Sequence, residues 1–292
     1  MARSVEFLIS PIMSRFGGPM LDALCHVSLR HGDRVSRTSA YVGHADWLVL
    51  WGVGALDRAP VRKAHMEKGG LVFCWDLAYF GRKRPDYYLR VSINHEHPQH
   101  LLTNTTQDSR RWDAHGLPLR DTYDPNGHII LTGLGRKSRV YLGQHYYTWE
   151  EKMLIDLRQR FPGRKIIYRP KPNSPPVKLN CPMEAKMPIE KLLEGASLVV
   201  SRHSNVCVDG VIANVPFEAE DGAAMWLRGK PWSIENRIAF LRKLSWWQWQ
   251  VKEAKEAWDF LHEYCDRYPI EGAIHENSHG MWQAGLRRMV QH

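Results

Sequence analysis

Residues 197–221, SLVVSRHSNVCVDGVIANVPFEAED, set the reading of the whole chain. Leu198, Val199 and Val200 form a short, β-branched apolar run of the kind buried in a parallel sheet. Ser201 to Asn205 make a polar corner rich in helix-capping residues. Val206, Val208, Val211 and Ile212 follow at helical spacing, and Asn214 and Pro216 end the stripe. A second short strand begins at Pro216-Phe217-Glu218, with Glu220 and Asp221 just past it. The segment is strand, corner, helix, strand, with its polar residues at the carboxyl edge of a sheet, where open α/β folds bind ligands. A helix opening there turns unpaired N–H groups and its positive dipole end outward, which suits a phosphate. Ser204 and Asn205 are placed to add side-chain bonds, and Arg202 or His203 a charge. The same residues also suit a plain helix cap, and this stretch alone does not separate the two readings.

The strands before it repeat the pattern. Residues 128–132 read as a strand entering the glycine-rich basic loop Gly133 to Ser138, and 165–168 as one entering Arg169-Pro170-Lys171-Pro172. Helices are expected over 148–161 and 189–193. Phosphate-compatible groups therefore stand at consecutive strand ends: Gly133, Gly135, Lys137 and Ser138, then Arg169 and Lys171, then His203, Ser204 and Asn205. Separated cations beside a helix N-terminus fit a diphosphate. No Walker A sequence is present, which argues against a P-loop hydrolase.

The first half has the same rhythm with different residues. Val5 to Ile9 reads as a strand and Phe16-Gly17-Gly18-Pro19 as a flexible turn, with Pro19 opening a helix that breaks at His31-Gly32-Asp33. Strands are expected over 45–52 and 71–75 around a helix over 57–68, with Asp76 just beyond the last strand. This alternation predicts a parallel sheet with Asp76, Gly17 and Gly18 at one functional edge. The complete GxGxxG fingerprint is missing, so no dinucleotide is inferred. Asp124-Pro125-Asn126-Gly127 marks a border. The expected domains are 1–126, 127–228, and a helical segment over 229–292 that packs back on both.

Composition narrows the class. A chain of 292 residues with a formal net charge of +9 favours an anionic partner. No apolar run reaches the ~20 residues of a membrane span, so no integral membrane contact is expected. Five cysteines without a CxxC pair read as reduced thiols of a cytoplasmic protein. His95-Glu96-His97 with His100 has metal-ligand residue types, but its Pro-containing loop is read as hydrogen-bonding, and no metal site is assigned. Tail tryptophans interleaved with Arg237, Arg242, Lys243, Lys252 and Lys255 are read as core packing with solvated cations. The alternative is a nucleic-acid or membrane surface.

Two Rossmann-like halves facing across a cleft, the second holding a phosphate, resemble the GT-B glycosyltransferases. The resemblance rests on Ile130 to Ser138, on Tyr168 to Pro172, and on Ser204-Asn205 through Asp209 to Asn214-Val215-Pro216. The last run is similar to the serine-led helix and "GxP" turn of capsule-polysaccharide and Kdo-type transferases, with Asn214 where that family usually has glycine. The resemblance implies a metal-independent enzyme without a cofactor, using a nucleotide-diphosphate sugar as donor. Lys137, Ser138, Arg169, Lys171, Ser204 and Asn205 would surround the phosphates and stabilise the departing group. Glu220 or Asp221 would bond sugar or ribose hydroxyls. Asp76 would be the general base, with Asp22 and His95 as alternatives. Gly17, Gly18, Arg82, Arg84 and His95 would meet the acceptor. The basic-aromatic stretch from Tyr79 to Arg90 is compatible with double-stranded DNA, since some phage enzymes glycosylate hydroxymethylated bases, which in such a protein would place the reaction in the host cytoplasm. A saccharide or lipid-linked acceptor, a non-catalytic nucleic-acid-binding protein, and a nucleotide-sugar hydrolase or epimerase are the alternatives.

Overall fold

Short apolar runs of this chain collect into two separate sheets. The computed structural model describes residues 2–9, 16–52, 58–82, 86–135, 148–172 and 174–270. The chain begins with β1 (Ser4–Leu8), α1 (Gly17–His31), β2 (Arg34–Thr38), β3 (Trp47–Trp51), α2 (Arg58–Glu67), β4 (Leu71–Leu77), β5 (Leu89–Ile93) and α3 (Arg110–His115). It continues through β6 (His128–Thr132), α4 (Thr148–Arg160), β7 (Ile166–Arg169), α5 (Ile189–Leu192), β8 (Ala196–Ser201), α6 (Val206–Ala213) and β9 (Phe217–Ala219). It closes with α7 (Ile234–Ser245), β10 (Gln248–Trp249) and α8 (Ala254–Arg267).

The first sheet has the order β10-β5-β4-β3-β1-β2 and the second β7-β6-β8-β9. All pairings of the second sheet are parallel. In the first, β1 to β4 run parallel, whereas β5 and β10 are antiparallel additions. The expectation of a wholly parallel first sheet is corrected here. Among the described residues no helix lies between β4 and β5, and a connection that stays at one end of the sheet returns the chain antiparallel. Asp76 is also relocated: it lies within β4, opposite Arg90 of β5. Gly17 and Gly18 are the first residues of α1 rather than a flexible turn.

One continuous core runs through both sheets, from Val5, Phe7 and Trp47 to Ile130, Val199 and Val211. The tail supplies much of it. Trp258 of α8 meets Trp47 at a centroid separation of 5.6 Å, and Trp247 and Trp249 are fully buried. Tail cations act as internal caps. Arg237 Nε donates to the Val211 carbonyl at 2.8 Å, and Lys243 donates to Thr103 and Thr105 carbonyls. Both side chains supply donors to backbone carbonyls at loop and helix ends, where intrahelical partners are few. Arg111 stacks on Trp249 at 3.6 Å and donates to Gln248 and Ser245 carbonyls. The packing reading of the tail tryptophans therefore holds. Of its cations, Arg237 and Lys243 are buried rather than solvated. Among the described residues no helix is long and apolar enough to cross a membrane.

Candidate functional site

Arg90 organises the first sheet's side of the site. Its side chain is 6 % exposed and reaches two carboxylates, Asp76 at 3.6 Å and Glu96 at 3.8 Å, which keep 32 % and 30 % of their side-chain surface open. Asn94, with φ 60, reverses the chain after β5 and returns residues 95–97 to Arg90. Arg90 Nη1 lies 2.8 Å from His97 Nδ1, and a guanidinium only donates, so Nδ1 accepts. Tyr79 Oη lies 2.8 Å from the same nitrogen. A neutral His97 then carries its proton on Nε2, which is buried and has no partner among the described residues. Burial, then Arg90 and His203, push the His97 pKa well below the ordinary range, which keeps the ring neutral.

The second sheet meets this cluster at its carboxyl edge. His203 follows β8, Lys171 follows β7, and both act on Glu96 electrostatically. Burial opposes ionisation of Glu96, yet His203, Arg90, Lys171 and His95 together hold its pKa below the ordinary carboxylate value. Burial lowers the pKa of His203, with Glu96 opposing and Lys171 reinforcing. Asn205 Oδ1 accepts from Arg90 at 3.4 Å, and Gln99 Nε2 donates to Asp221 Oδ1 at 2.8 Å. His95 Nε2 lies 4.0 Å from Asp221. Part-exposed carboxylates over a buried cation, with a lysine and histidines acting on them, make a charged cluster between the two sheets, here termed the crevice, with groups that can pair with an anion or accept a proton.

The predicted residues divide by what they touch. Asp76, His95, Lys171, His203, Asn205 and Asp221 come together in this crevice. Ser204 Oγ accepts from the Val206 N–H at 3.3 Å in a local turn that precedes α6, whose N-cap is Asn205. Asn214 takes the left-handed conformation at the end of that helix, φ 64, so asparagine makes the turn that glycine would. Gly135 leaves room for the Lys171 stem, which an added Cβ would meet at 2.9 Å, and Gly133 leaves room for the Tyr168 hydroxyl at 2.5 Å. Arg169 Nη1 donates to the Glu184 carbonyl at 3.0 Å. Glu220 is held by Arg202 Nε at 2.6 Å and by the Trp149 indole N–H. Arg82 pairs with Asp209, and Asp22 pairs with Arg37 of edge strand β2 at 2.7 Å, at the far side of the first sheet. Gly18 lies in the first turn of α1. Lys137, Ser138 and Arg84 lie outside the described residues.

Glu96, Arg90, His97 and Gln99 were not assigned a site role from sequence. The His95-Glu96-His97 run was visible, but its return to Arg90 depends on the Asn94 turn. Two hollows, of about 380 Å³ beside Asp46, His65 and Lys68 and about 480 Å³ beside Arg158, Arg164 and Lys165, lie at the amino ends of the sheets, away from the crevice.

No protein-family model and no curated protein matches the chain. Solved structures do. Thermosulfurimonas dismutans KpsC, beta Kdo 2,4 transferase, is 14% identical over 84% of this chain and 91% of that one, with a TM-score of 0.49. Thermosulfurimonas dismutans KpsC, beta Kdo 2,7 transferase, is 13% identical over 88% of this chain and 99% of that one, with a TM-score of 0.50. The likeness is one of fold: this chain shares a Rossmann-like α/β architecture with a glycosyltransferase.

Proposed function

We propose that this protein is a glycosyltransferase of GT-B type that moves a sugar from a nucleotide-activated donor to an acceptor hydroxyl. One observation carries the reading. Lys171 and His203, just past successive strands of the second sheet, act electrostatically on the same carboxylate, Glu96, that Arg90 of the first sheet meets at 3.8 Å. In this reading Lys171, His203 and the start of α6 receive the donor phosphate, with Lys137 and Ser138 as further contributors. Their charge stabilises the leaving nucleotide as the glycosidic bond breaks. Asp221 and His95 meet hydroxyl groups. Asp76 and Glu96 flank Arg90, and either serves as the proton acceptor. Glu96 is preferred because its charge is coupled to Lys171 and His203, the residues that receive the donor phosphate in this reading.

A saccharide is the favoured acceptor. The neighbour in the fold comparison is named for Kdo transfer, a saccharide chemistry, and that name is what tips the choice away from a DNA base. Thermal-shift screening of nucleoside mono- and diphosphates and their sugar conjugates tests the donor half of the proposal. A bound species raises the melting temperature by mass action. The expected result is a saturable rise with one nucleotide class that Lys171→Ala removes. Absence of any rise across UDP-, GDP-, CMP- and ADP-linked species overturns the transferase reading. Release of free sugar without acceptor would instead point to a hydrolase.

A further inference from the structure

Away from the crevice, His31 and Asp33 at the end of α1 meet His262 of α8. Asp33 Oδ2 lies 3.1 Å from His262 Nε2, and Asp33 Oδ1 lies 3.7 Å from His31 Nδ1. One nitrogen or oxygen from each residue falls within 4.8 Å of the others. We propose that His31, Asp33 and His262 form a binding site for a divalent transition-metal ion that clamps α8 onto α1.

The donor set and its spacing carry this assignment. Two imidazoles and one carboxylate are ligands for zinc-class ions. Metal–ligand bonds of about 2.0–2.2 Å put neighbouring tetrahedral ligands roughly 3.3–3.5 Å apart. The Oδ1–His31 separation of 3.7 Å is near that spacing, and the His262 ring, now bonded to Oδ2, turns to bring Nε2 from within 4.8 Å to the same ion. The carboxylate is fully buried, and its remaining partners are neutral donors: the Arg3 N–H at 2.9 Å, Ser28 Oγ at 2.8 Å and Trp258 Nε1 at 2.9 Å. These fix its orientation as outer partners of a metal ligand do. They also leave Oδ1 with a single hydrogen bond on the side of His31, and a carboxylate oxygen has two lone pairs. The His262 ring bonds nothing but Asp33 among the described residues, since its Nδ1 has no partner. His31 keeps 30 % of its side chain exposed and stacks on His262 at 4.0 Å, which provides an entry path and an open fourth position. Three protein ligands with a water-facing fourth position complete a tetrahedral site.

This site is independent of sugar transfer, and its test does not use activity. Zinc chloride is titrated by calorimetry into the chelator-treated full chain, with the melting temperature followed in parallel. Saturable 1:1 binding with a rise in melting temperature is expected. His31→Ala, at the solvent-facing position, should weaken binding at least tenfold and abolish the zinc-induced rise in melting temperature. Cobalt(II) should give the visible absorption of a tetrahedral site in the wild type and lose it in His31→Ala and in His262→Gln. Cys265→Ser, on the same helix, should bind as wild type does. Absence of saturable binding overturns the proposal. So does equal affinity in His31→Ala, or loss of binding in Cys265→Ser, because either would place the ion elsewhere.

Discussion

Arg82 Nη2 lies 3.2 and 3.3 Å from the two carboxylate oxygens of Asp209, joining the loop after β4 to the first turn of α6. Asp209 keeps 12 % of its side chain exposed and Arg82 34 %, so the pair is sunk at one end and wet at the other. Burial raises the Asp209 pKa and Arg82 pulls it back. Arg82→Ala removes that compensation. The expected cost is about 1–2 kcal/mol, below that of a fully buried pair because the guanidinium is partly screened. A folded pKa above the unfolded one means that stability declines as pH rises past about 4. The loss should steepen in Arg82→Ala. Urea unfolding of the two single variants and of Arg82→Ala/Asp209→Asn closes the cycle, and additivity would show that the halves are not coupled through this pair.

Glu96 titrates in the opposite sense. Its folded pKa lies below the ordinary value, so its ionised form stabilises the fold at neutral pH. That contribution is present above the unfolded value of about 4.3 and is lost as pH falls through the folded value beneath it. Glu96→Gln should flatten the acid limb of a melting-temperature profile while changing little in the arrangement of Arg90. If Glu96 is also the proton acceptor, the same variant should lower the transfer rate on the order of 10²–10⁴-fold and keep the donor-induced thermal shift. Asp76→Asn with the larger loss would reassign the role to Asp76.

The opening stretch 197–221 was legible because its apolar spacing and its breakers agree. Strand β8, helix α6 and strand β9 fall where Leu198 to Val200, Val206 to Ile212 and Phe217 predict them. The polar β2, RVSRT, was missed: an edge strand with an exposed face lacks the apolar run that marks a buried one. β10 was missed because two residues, Gln248 and Trp249, carry no period at all. On the first sheet's side Asp76 and His95 were legible as polar residues at strand ends, but Arg90, which gathers them, was not. Arg90 alternates with Leu89 and Val91 inside an apolar strand, and nothing local signals that it faces Asp76, Glu96 and His97 together. Arg82 and Glu220 were legible as polar residues near the right edges, but their ion-pair partners, Asp209 and Arg202, are set by tertiary contact.

Lys171 is expected to contribute to donor affinity as a point charge. Its stem runs past Gly135, where an added Cβ would come within 2.9 Å of it. Lys171→Ala should weaken nucleotide binding about tenfold or more, the ordinary worth of one charge-assisted bond to phosphate. Gly135→Ala should weaken it less, by displacing the lysine, and Lys171→Arg should not restore it fully, because a planar guanidinium does not reproduce the compact point charge of an ammonium. Calorimetric titration of each variant with the nucleotide found in the thermal screen reads these differences. Unchanged affinity in Lys171→Ala would remove this residue from the donor site.

Gly17 separates a packing role from a binding one. A Cβ built on it would lie 2.3 Å from Trp51 Cδ2, and Trp51 ends β3 with 8 % of its surface exposed. The indole is hemmed in by core neighbours, so Gly17→Ala must shift α1 or the ring. The expected destabilisation is about 1–3 kcal/mol, the usual cost of overpacking. Trp51→Phe, with a smaller ring, should recover part of the loss when combined with Gly17→Ala, although alone it leaves a cavity and costs stability itself. Denaturant midpoints of the two single variants and the double variant measure the coupling. A Gly17→Ala protein of unaltered stability that no longer engages its acceptor would instead mean that the glycine admits substrate to the backbone, the role its sequence position first implied.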